Sequence, residues 1–327
     1  MKRSISVQLE SWPCIIPFRI SSNVWDDFPC LVCEIEQDGV IGRGEGMGVY
    51  NRGETLESMA AQIQDVSAAL ASGADRHELQ ELLPAGGARF AIDSALWDLD
   101  AQFSCISAWQ TAGVLAGPVE TVFTIGLEDT PEQMAAKASA ADDLSLFKVK
   151  LGDDRPVERI AAIREARPDS RLVVDANQGW NFSGLQEFGP ALHELGVLMI
   201  EQPLPRGEDQ ELEGYKSILP LCSDESCQHL GELEEAAARY QMINIKLDKC
   251  GGLTHGLMLA AAAKAKGLGL MIGCMGGTSL SMAPSHVLAQ LCEFVDIDGP
   301  LLIKKDRDGG LVYERGMVSL PPIHFWG

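Results

Sequence analysis

Three short apolar segments recur between residues 147 and 203: FKVKL at 147–151, LVVD at 172–175 and VLMIE at 197–201. Each segment is followed by a longer stretch in which apolar residues recur at helical spacing. This alternation predicts parallel strands joined by helices. Working outward in both directions, the same pattern predicts eight strands, at 122–127, 147–151, 172–175, 197–201, 221–224, 242–247, 270–274 and 294–298.

Helical patterns fill the seven intervals between these strands. They are predicted at 131–141, 156–166, 183–195, 209–218, 232–240, 255–266 and 282–291. Eight parallel strands, each but the last followed by a helix, favour a closed barrel over an open sheet. The fold class is therefore α/β, a (β/α)7β modified TIM barrel.

The N-terminal part has a different pattern, with strands first and two helices, at 54–71 and 88–108, after them. We expect an α+β capping domain at 1–115, the barrel at 116–300, and a C-terminal segment at 301–327 that returns to the cap. The glycine-rich run at 42–48 follows a hairpin strand and lacks a βαβ unit, so we expect a flexible loop and not a dinucleotide site.

The composition excludes several classes of partner. With 47 acidic and 26 basic residues the formal net charge is −21, which disfavours nucleic acid and anionic membranes. The chain has no apolar run of membrane-spanning length and no signal-peptide pattern, so a cytoplasmic protein is expected. The nine cysteines are scattered, and Cys30 and Cys33 are expected to be reduced thiols buried in a strand. Self-association is left open.

Three carboxylates stand at the ends of neighbouring strands: Asp175, Glu201 and Asp224. The C-terminal ends of barrel strands converge on one mouth, where these charges would repel one another unless a cation neutralised them. Because all the ligand atoms are oxygens, a hard ion with open positions for water and substrate is favoured. The sequence therefore predicts a Mg²⁺ site.

Lysines flank the predicted metal on two sides. Lys148 and Lys150 share one face of the second strand, and Lys246 comes from the sixth strand across the ring. Neighbouring cations are expected to weaken these lysines as bases, bringing proton transfer near neutral pH within reach. A metal-held carboxylate with a base on each side describes removal of the neighbouring proton and its return to the opposite face. That reaction is an epimerisation.

Five motifs in this order resemble the muconate-lactonising subgroup of the enolase superfamily, and two cap motifs, Gly44-x-Gly46 and the helix around Asp93, resemble its capping domain. The barrel motifs contain the paired lysines, the three carboxylates and the element that begins at Lys246. The resemblance implies Asp175, Glu201 and Asp224 as metal ligands, Lys150 and Lys246 as the acid/base pair and Lys148 as a supporting lysine.

Within this subgroup, Asp296-Ile297-Asp298 is similar to the Asp-x-Asp motif of dipeptide epimerases, in which two carboxylates hold the α-ammonium group of the substrate. The resemblance implies an L-dipeptide that is epimerised at its C-terminal residue. The loop after the seventh strand adds Cys274 and Met275 to the expected pocket, but has Gly277 where many relatives carry a glutamate. The contribution of this loop to the site is therefore in question.

The cap loop departs from the alanyl-glutamate epimerases, because Trp25 stands where they carry an arginine for the side-chain carboxylate of the substrate. We therefore expect the epimerised residue to be hydrophobic, polar or cationic. Residues expected near the pocket are Trp25, Tyr50, Asn51 and Arg52, of which Arg52 could still serve an acidic side chain.

Two alternatives stay open on the sequence. A lyase of the o-succinylbenzoate synthase or cycloisomerase type begins with the same enediolate, although its substrate has no ammonium group for Asp296 and Asp298. A non-catalytic metal-binding barrel is disfavoured because it has no use for lysines on both sides of the metal.

Overall fold

The computed structural model of the chain describes residues 3–19, 23–152, 154–322 and 324–327. Its first part is a three-stranded antiparallel sheet in the order β1-β2-β3, covered by helices. The elements of this cap are β1 (Ser4–Arg19), β2 (Val24–Gln37), β3 (Val40–Gly46), α1 (Leu56–Ala71), α2 (Leu79–Leu82), α3 (Gly87–Ser104) and α4 (Ala108–Thr111). A short 3-10 turn at Tyr50–Arg52 follows β3.

The second part is an eight-stranded parallel sheet that follows the chain order from β5 to β12 and curls into a barrel. A short strand, β4 (Val119–Glu120), leads into it. Its strands are β5 (Phe123–Ile125), β6 (Leu146–Lys150), β7 (Arg171–Asp175), β8 (Val197–Glu201), β9 (Leu221–Ser223), β10 (Met242–Lys246), β11 (Gly269–Gly273) and β12 (Phe294–Val295).

The longer helices of this part surround the sheet on the outside, and two short helices, at 247–250 and 299–302, lie at the mouth beside the cap. Together they are α5 (Pro131–Ala140), α6 (Pro156–Ala166), α7 (Phe182–Glu194), α8 (Leu233–Arg239), α9 (Leu247–Cys250), α10 (Leu253–Ala265), α11 (Ser279–Ala289) and α12 (Gly299–Leu302). The architecture is the predicted modified TIM barrel with an N-terminal α+β cap. No helix of the described part is long and apolar enough to cross a lipid bilayer.

The first and last barrel strands meet without forming a regular ladder. The Val122 amide donates to the Val295 carbonyl at 2.8 Å, and the Thr124 amide donates to the Asp298 carboxylate at 2.8 Å. A side-chain carboxylate therefore helps to close the barrel beside its mouth.

The inside of the barrel is layered, because alternate residues of a strand point to the same face. One layer is apolar and includes Leu146, Val173 and Met199. Two residues further along the same three strands stand Lys148, Asp175 and Glu201, all buried. The period of two thus places charged side chains directly above an apolar floor, at the mouth that faces the cap.

The helix predicted over 209–218 is wrong. The structure has one 3-10 turn, Gln210–Leu212, followed by Gly214 at a φ of 76°. Asp209 could have capped a helix, but its carboxylate accepts hydrogen bonds from Arg239, Ser226 and Tyr240 instead. Tertiary hydrogen bonds therefore replace a helix that the local pattern favoured.

The flexible loop expected at 42–48 is also wrong for most of its length, because β3 extends to Gly46 and packs closely on α3. A Cβ atom at Gly42 or Gly44 would lie only 2.2 or 2.1 Å from a carbonyl oxygen of that helix. These glycines are required by close contact between backbones, and not by a need for flexibility.

The cap and barrel are joined by a set of buried polar contacts that we call the seam, formed by Glu45, Met47, Asp248, Thr278 and Arg307. Glu45 accepts from the Thr278 amide at 2.8 Å and from Arg307 at 2.6 Å. The Met47 amide donates to the Asp248 carboxylate at 2.7 Å. Buried charged residues of the cap and of the barrel thus form hydrogen bonds across the boundary between them.

The C-terminal segment contacts the cap at both of its ends. The Lys304 amide donates to the Pro13 carbonyl at 2.8 Å, and the Trp326 indole donates to the Ser94 carbonyl at 3.1 Å. Between these contacts, β13 (Tyr313–Glu314) and β14 (Met317–Val318) form a small sheet with β4. The domain boundaries at 115 and 300 stay a prediction.

Candidate active site

The three predicted metal ligands lie on adjacent strands. Asp175 ends β7 and is paired in register with Glu201, which ends β8, and Asp224 follows β9 directly. All three side chains are buried, with exposures of 0, 0 and 1%. The strand ends thus bring three carboxylates together out of contact with bulk water.

The backbone after two of these carboxylates adopts unusual conformations. Asn177, Gln178 and Gln202 have φ values of 44°, 65° and 35°, in the left-handed region that side-chain-bearing residues rarely occupy. The Gln178 amide donates to the Gln202 carbonyl at 2.8 Å and so ties two strand ends together. Such strain at strand ends is typical of a functional site and is stabilised by the surrounding hydrogen bonds.

The lysines lie where the sequence predicted them. The Lys148 ammonium is 2.7 Å from Glu201 Oε2 and 3.2 Å from Asp175 Oδ2. Lys150 lies beside Asp175 at 2.6 Å, and Lys246 lies beside Asp224 at 3.0 Å. The two lysines predicted as acid/base partners therefore flank the carboxylate cluster from β6 on one side and β10 on the other.

Ion pairing governs the protonation of these groups. Burial alone would raise the pKa of Asp175, but Lys150 and Lys148 hold that pKa below its ordinary value. Burial also raises the pKa of Asp224, and here Lys246 and Lys249 hold it low. For Glu201, burial and the neighbouring charge of Asp175 prevail, and its pKa is raised.

The expectation that the lysines are weakened as bases is not met by the protein groups at Lys148 and Lys246. Burial lowers the pKa of Lys148, but Asp296, Glu201 and Asp175 raise it well above the ordinary value. The pKa of Lys246 is raised in the same way by Asp224. Lys148 and Lys246 each lie directly against a carboxylate, whose effect on the pKa outweighs that of the neighbouring cations.

The donor set fits a divalent cation. Six buried carboxylates face four buried ammonium groups, an excess of two negative charges when all are ionised. They are Asp175, Glu201, Asp224, Glu225, Asp296 and Asp298 against Lys148, Lys150, Lys246 and Lys249. Within the described chain, Glu201 Oε2 and Asp224 Oδ2 are buried oxygens that lie 2.7 Å from Lys148 and 3.0 Å from Lys246 but accept no aligned hydrogen bond. Buried oxygens with spare lone pairs and an uncompensated charge suit a hard metal ion.

A second carboxylate pair lies beside this cluster. Asp296 Oδ2 accepts from Lys148 at 2.8 Å, and Asp298 accepts from the Thr124 amide. Ligand atoms of Cys274, Asp296 and Asp298 lie within 4.8 Å of one another. Burial and the charge of Asp296 raise the pKa of Asp298 to about 7. The pair forms an anionic pocket that a cationic group would stabilise.

The pocket over these groups is shared between barrel and cap. Its barrel wall includes Lys150, Lys246, Cys274, Met275, Asp296 and Asp298. Its cap wall is aromatic and consists of Phe18, Trp25, Phe28 and Tyr50. The rings of Trp25 and Tyr50 pack edge to face with centroids 5.2 Å apart. Trp25 lies in β2 and not in the loop that was predicted to carry it, and residues 20–22 lie outside the described part of the chain.

Arg52 is placed differently from the expectation. Its guanidinium donates to the carbonyls of Ala85 and Lys249 at 3.1 and 3.0 Å, and the residue is not part of the pocket wall. Asn51 is exposed to solvent outside the wall. Arg52 therefore ties the cap to the barrel, and an acidic side chain of a substrate has no described arginine in the wall to meet.

Gly277 also has a structural explanation. It adopts a φ of 109°, and a Cβ atom there would lie 2.8 Å from Glu45 Oε1. The space that a glutamate side chain would need at this position is occupied by a glutamate of the cap.

Sequence reasoning assigned no role to several residues that contact the ligands. Lys249 lies 2.6 Å from Asp224 Oδ1, and the Asn244 amide donates to Glu201 Oε1 at 2.7 Å. Their signals were present, since Lys249 stands one helical turn after Lys246 and Asn244 shares its strand face with Lys246. Phe18 and Phe28 carry no comparable signal, because any apolar strand could supply them.

Comparisons with known proteins agree with this geometry. Residues 2–113 match the family described as "Mandelate racemase / muconate lactonizing enzyme, N-terminal domain", and residues 132–323 match "Enolase C-terminal domain-like". The L-Ala-D/L-Glu epimerase of Escherichia coli K12 is 41% identical over 97% of this chain and 100% of its own length.

Two solved structures are similar over nearly the whole chain. An enolase family member from Agrobacterium tumefaciens, solved with sodium and L-Ala-L-Glu, has a TM-score of 0.96 at 39% identity and covers 99% of this chain and 100% of its own. The dipeptide epimerase of Enterococcus faecalis V583, solved with Mg and L-Leu-L-Tyr, has a TM-score of 0.91 at 28% identity and covers 98% of this chain and 97% of its own.

Proposed function

The chain belongs to the mandelate racemase and muconate lactonizing enzyme family of the enolase superfamily and is an isomerase, and from this premise we propose that it epimerises L-dipeptides with Mg²⁺ as its cofactor. The proposed reaction inverts the α-carbon of the C-terminal residue. The observation that carries it is the pair of buried lysines, Lys150 and Lys246, on opposite sides of the carboxylate cluster.

Asp175, Glu201 and Asp224 would hold the metal. When bound, Mg²⁺ would supply positive charge next to the substrate carboxylate, where negative charge develops as the α-proton leaves. The three carboxylates are buried, and each lies against a lysine ammonium group. Burial and the neighbouring charge of Asp175 raise the pKa of Glu201, and a bound cation would act in the opposite direction.

Lys150 and Lys246 are proposed to exchange the α-proton. One ammonium group must lose its proton before it can act as the base, and the other then donates a proton to the opposite face of the planar carbon. A cation on the carboxylates would compete with the lysines for the same oxygens and so weaken the ion pair with Asp224 that raises the pKa of Lys246. Lys148, held by three carboxylates, is proposed to stay charged and support the developing enediolate.

Asp296 and Asp298 are proposed to receive the α-ammonium group of the dipeptide. Both are buried beside the pocket, where burial and mutual repulsion raise the pKa of Asp298, and an ammonium group there would stabilise both carboxylates. This pocket distinguishes a dipeptide from the substrates of the related lyases, which carry no ammonium group.

The aromatic wall of the cap supports a C-terminal residue that is hydrophobic, polar or cationic. Phe18, Trp25 and Phe28 offer apolar area and ring faces to such a side chain. The names of two relatives, which contain L-Ala-D/L-Glu and L-Ala-L-Glu, favour glutamate at this position instead. Screening a dipeptide library is therefore the direct test of which C-terminal residues the enzyme accepts. The proposal on breadth is overturned if Xaa-Glu dipeptides are turned over fastest.

The reaction itself is tested by incubating the enzyme with Mg²⁺ and an L-dipeptide in D₂O. We expect deuterium at the α-carbon of the C-terminal residue, appearing together with the D-configuration at that carbon, by NMR and chiral chromatography. A product that has lost water or gained a ring would instead support a lyase or cycloisomerase. If the protein binds Mg²⁺ tightly but exchanges the α-proton of no dipeptide, the proposal that dipeptides are its substrates is contradicted.

A further inference from the structure

Behind the proposed metal ligands lies a buried hydrogen-bond network that ends at Asp209. This carboxylate is fully buried and accepts from Ser226 Oγ at 2.6 Å, from Tyr240 Oη at 2.7 Å and from Arg239 at 2.9 Å. It lies outside the mouth pocket and contacts neither the lysines nor the ligands. Three converging donors make it the fixed acceptor of the network.

The protons of the two hydroxyl groups determine the next step. Each hydroxyl has a single proton, and both protons are directed to Asp209. The remaining lone pairs of Ser226 and Tyr240 face the side-chain amide of Gln202 at 2.9 and 3.0 Å. Lone pairs require a donor, so the nitrogen of Gln202 must point toward them, and the Leu204 carbonyl at 2.8 Å imposes the same orientation.

The oxygen of the Gln202 amide is then directed to the loop that carries a metal ligand. It accepts from the backbone amides of Asp224 at 2.9 Å and of Ser226 at 3.1 Å. Gln202 itself follows Glu201 directly, and its carbonyl accepts from the Gln178 amide. One buried glutamine thus connects the backbone at all three strand ends that carry the ligands.

We propose that Asp209 and Gln202 are positioning residues for the metal centre, in which Asp209 fixes the orientation of the Gln202 amide and that amide fixes the backbone of Asp224. This inference rests on the proposed function. If the polarity of the network were reversed, the amide nitrogen would face two backbone N–H donors, and both of these hydrogen bonds would be lost. The position of Asp224 would then no longer be held from behind.

Asp209→Asn is the sharp test, because it keeps the volume and replaces one acceptor oxygen by a donor. The amide either turns its nitrogen toward Ser226 and Tyr240, which reverses the network, or toward Arg239, which places a donor against a cation. We expect the Mg²⁺ dissociation constant, measured by calorimetry without substrate, to rise by about tenfold, as is typical for the loss of a group that orients a metal ligand. Excess Mg²⁺ should restore kcat.

Asp93→Asn is the matched control. Asp93 is equally buried and accepts a backbone amide, that of Thr254 at 3.0 Å, but its contacts do not lead to the metal ligands. This variant is expected to lose stability and to keep its Mg²⁺ affinity. Equal Mg²⁺ affinity in Asp209→Asn, Asp93→Asn and the unaltered protein overturns the inference.

If Asp209→Asn does not fold, the Mg²⁺ affinity of Tyr240→Phe tests the inference instead. It removes one hydroxyl from the network and should weaken Mg²⁺ binding several-fold, whereas unchanged affinity overturns the inference. Failure of the proposed function is recognised separately. A chain that binds Mg²⁺ but epimerises no dipeptide loses the proposed activity, while the affinities of the variants still decide the role of Asp209.

Discussion

The mouth of the barrel and the seam between cap and barrel both contain buried carboxylates, but the two regions complete their hydrogen bonds differently. In the seam, both oxygens of Glu45 accept hydrogen bonds, from Thr278 and from Arg307. At the mouth, within the described chain, Glu201 Oε2 and Asp224 Oδ2 lie against the ammonium groups of Lys148 and Lys246, at 2.7 and 3.0 Å, but neither oxygen accepts an aligned hydrogen bond.

This difference separates charge that holds the fold from charge that is available to a ligand. A buried ion pair with every lone pair used costs its desolvation and contributes mainly when it is broken. A buried carboxylate with unused lone pairs is a cost that the protein accepts for binding. Substitutions in the mouth should therefore change activity, and substitutions in the seam should change stability.

The largest expected effect is at the mouth. Lys150→Ala and Lys246→Ala should each lower kcat/KM for epimerisation by about 1,000-fold or more, because each removes a proton carrier. One of them is expected to retain deuterium exchange from a single enantiomer, which NMR in D₂O measures. Lys264→Ala, on the exposed face of α10, is the control. Full activity in either mouth variant would refute the assignment of the bases.

The next effect is at the seam. Arg307→Leu removes two hydrogen bonds to Glu45 and leaves that fully buried carboxylate without its cationic partner. The free energy of unfolding in urea should fall by about 3–5 kcal/mol. Arg155→Leu, which breaks the exposed pair with Glu158, should cost no more than about 1 kcal/mol. A large loss of kcat in the folded Arg307 variant would erase the distinction between the two regions.

A smaller change concerns the aromatic wall of the pocket. Trp25→Arg introduces a cation where the substrate side chain is proposed to lie. The ratio of kcat/KM for L-Ala-L-Glu to that for L-Ala-L-Leu should rise by about tenfold, which corresponds to about 1.4 kcal/mol. Val24→Arg places the same charge next door, on a half-exposed residue outside the wall. If both variants shift the ratio equally, the shift is caused by the long-range effect of the added charge and not by contact between the new arginine and the substrate.

The smallest effect concerns stability alone. Burial lowers the pKa of His286 from 6.5 to about 4, and the ring accepts from the Trp109 indole at 3.2 Å. The folded protein therefore keeps His286 neutral, while the unfolded chain binds a proton below pH 6.5, so stability falls between pH 6.5 and pH 4. We expect about 1 kcal/mol to be lost between pH 7 and pH 5.5.

Urea denaturation at both pH values checks this, with His286→Asn as the comparison. The variant should be less stable throughout but should lack this part of the pH dependence. An identical pH dependence in the two proteins would show that His286 does not titrate as described.

The sequence predicted the parts of the site that repeat with the strands. Asp175, Glu201 and Lys150 could be placed because a strand of period two ending at a barrel mouth determines which side chains point inward. The orientation of Arg52 could not be predicted, since its partners are carbonyls that lie 33 and 197 residues away in the chain. The prediction of a helix at 209–218 was wrong for the same reason, because the carboxylate of Asp209 accepts hydrogen bonds from residues that are distant in the chain.

The contact between β3 and α3 has a consequence for how this scaffold can diversify. Gly42 and Gly44 leave no room for any side chain, so these positions are closed to ordinary substitution. The aromatic residues of the pocket wall, such as Trp25 and Tyr50, lie at the edge of the cap, where a new side chain meets the pocket and not another backbone. New substrate preferences can therefore arise by mutation at the rim of the cap, while the rigid interior that carries the rim remains unchanged.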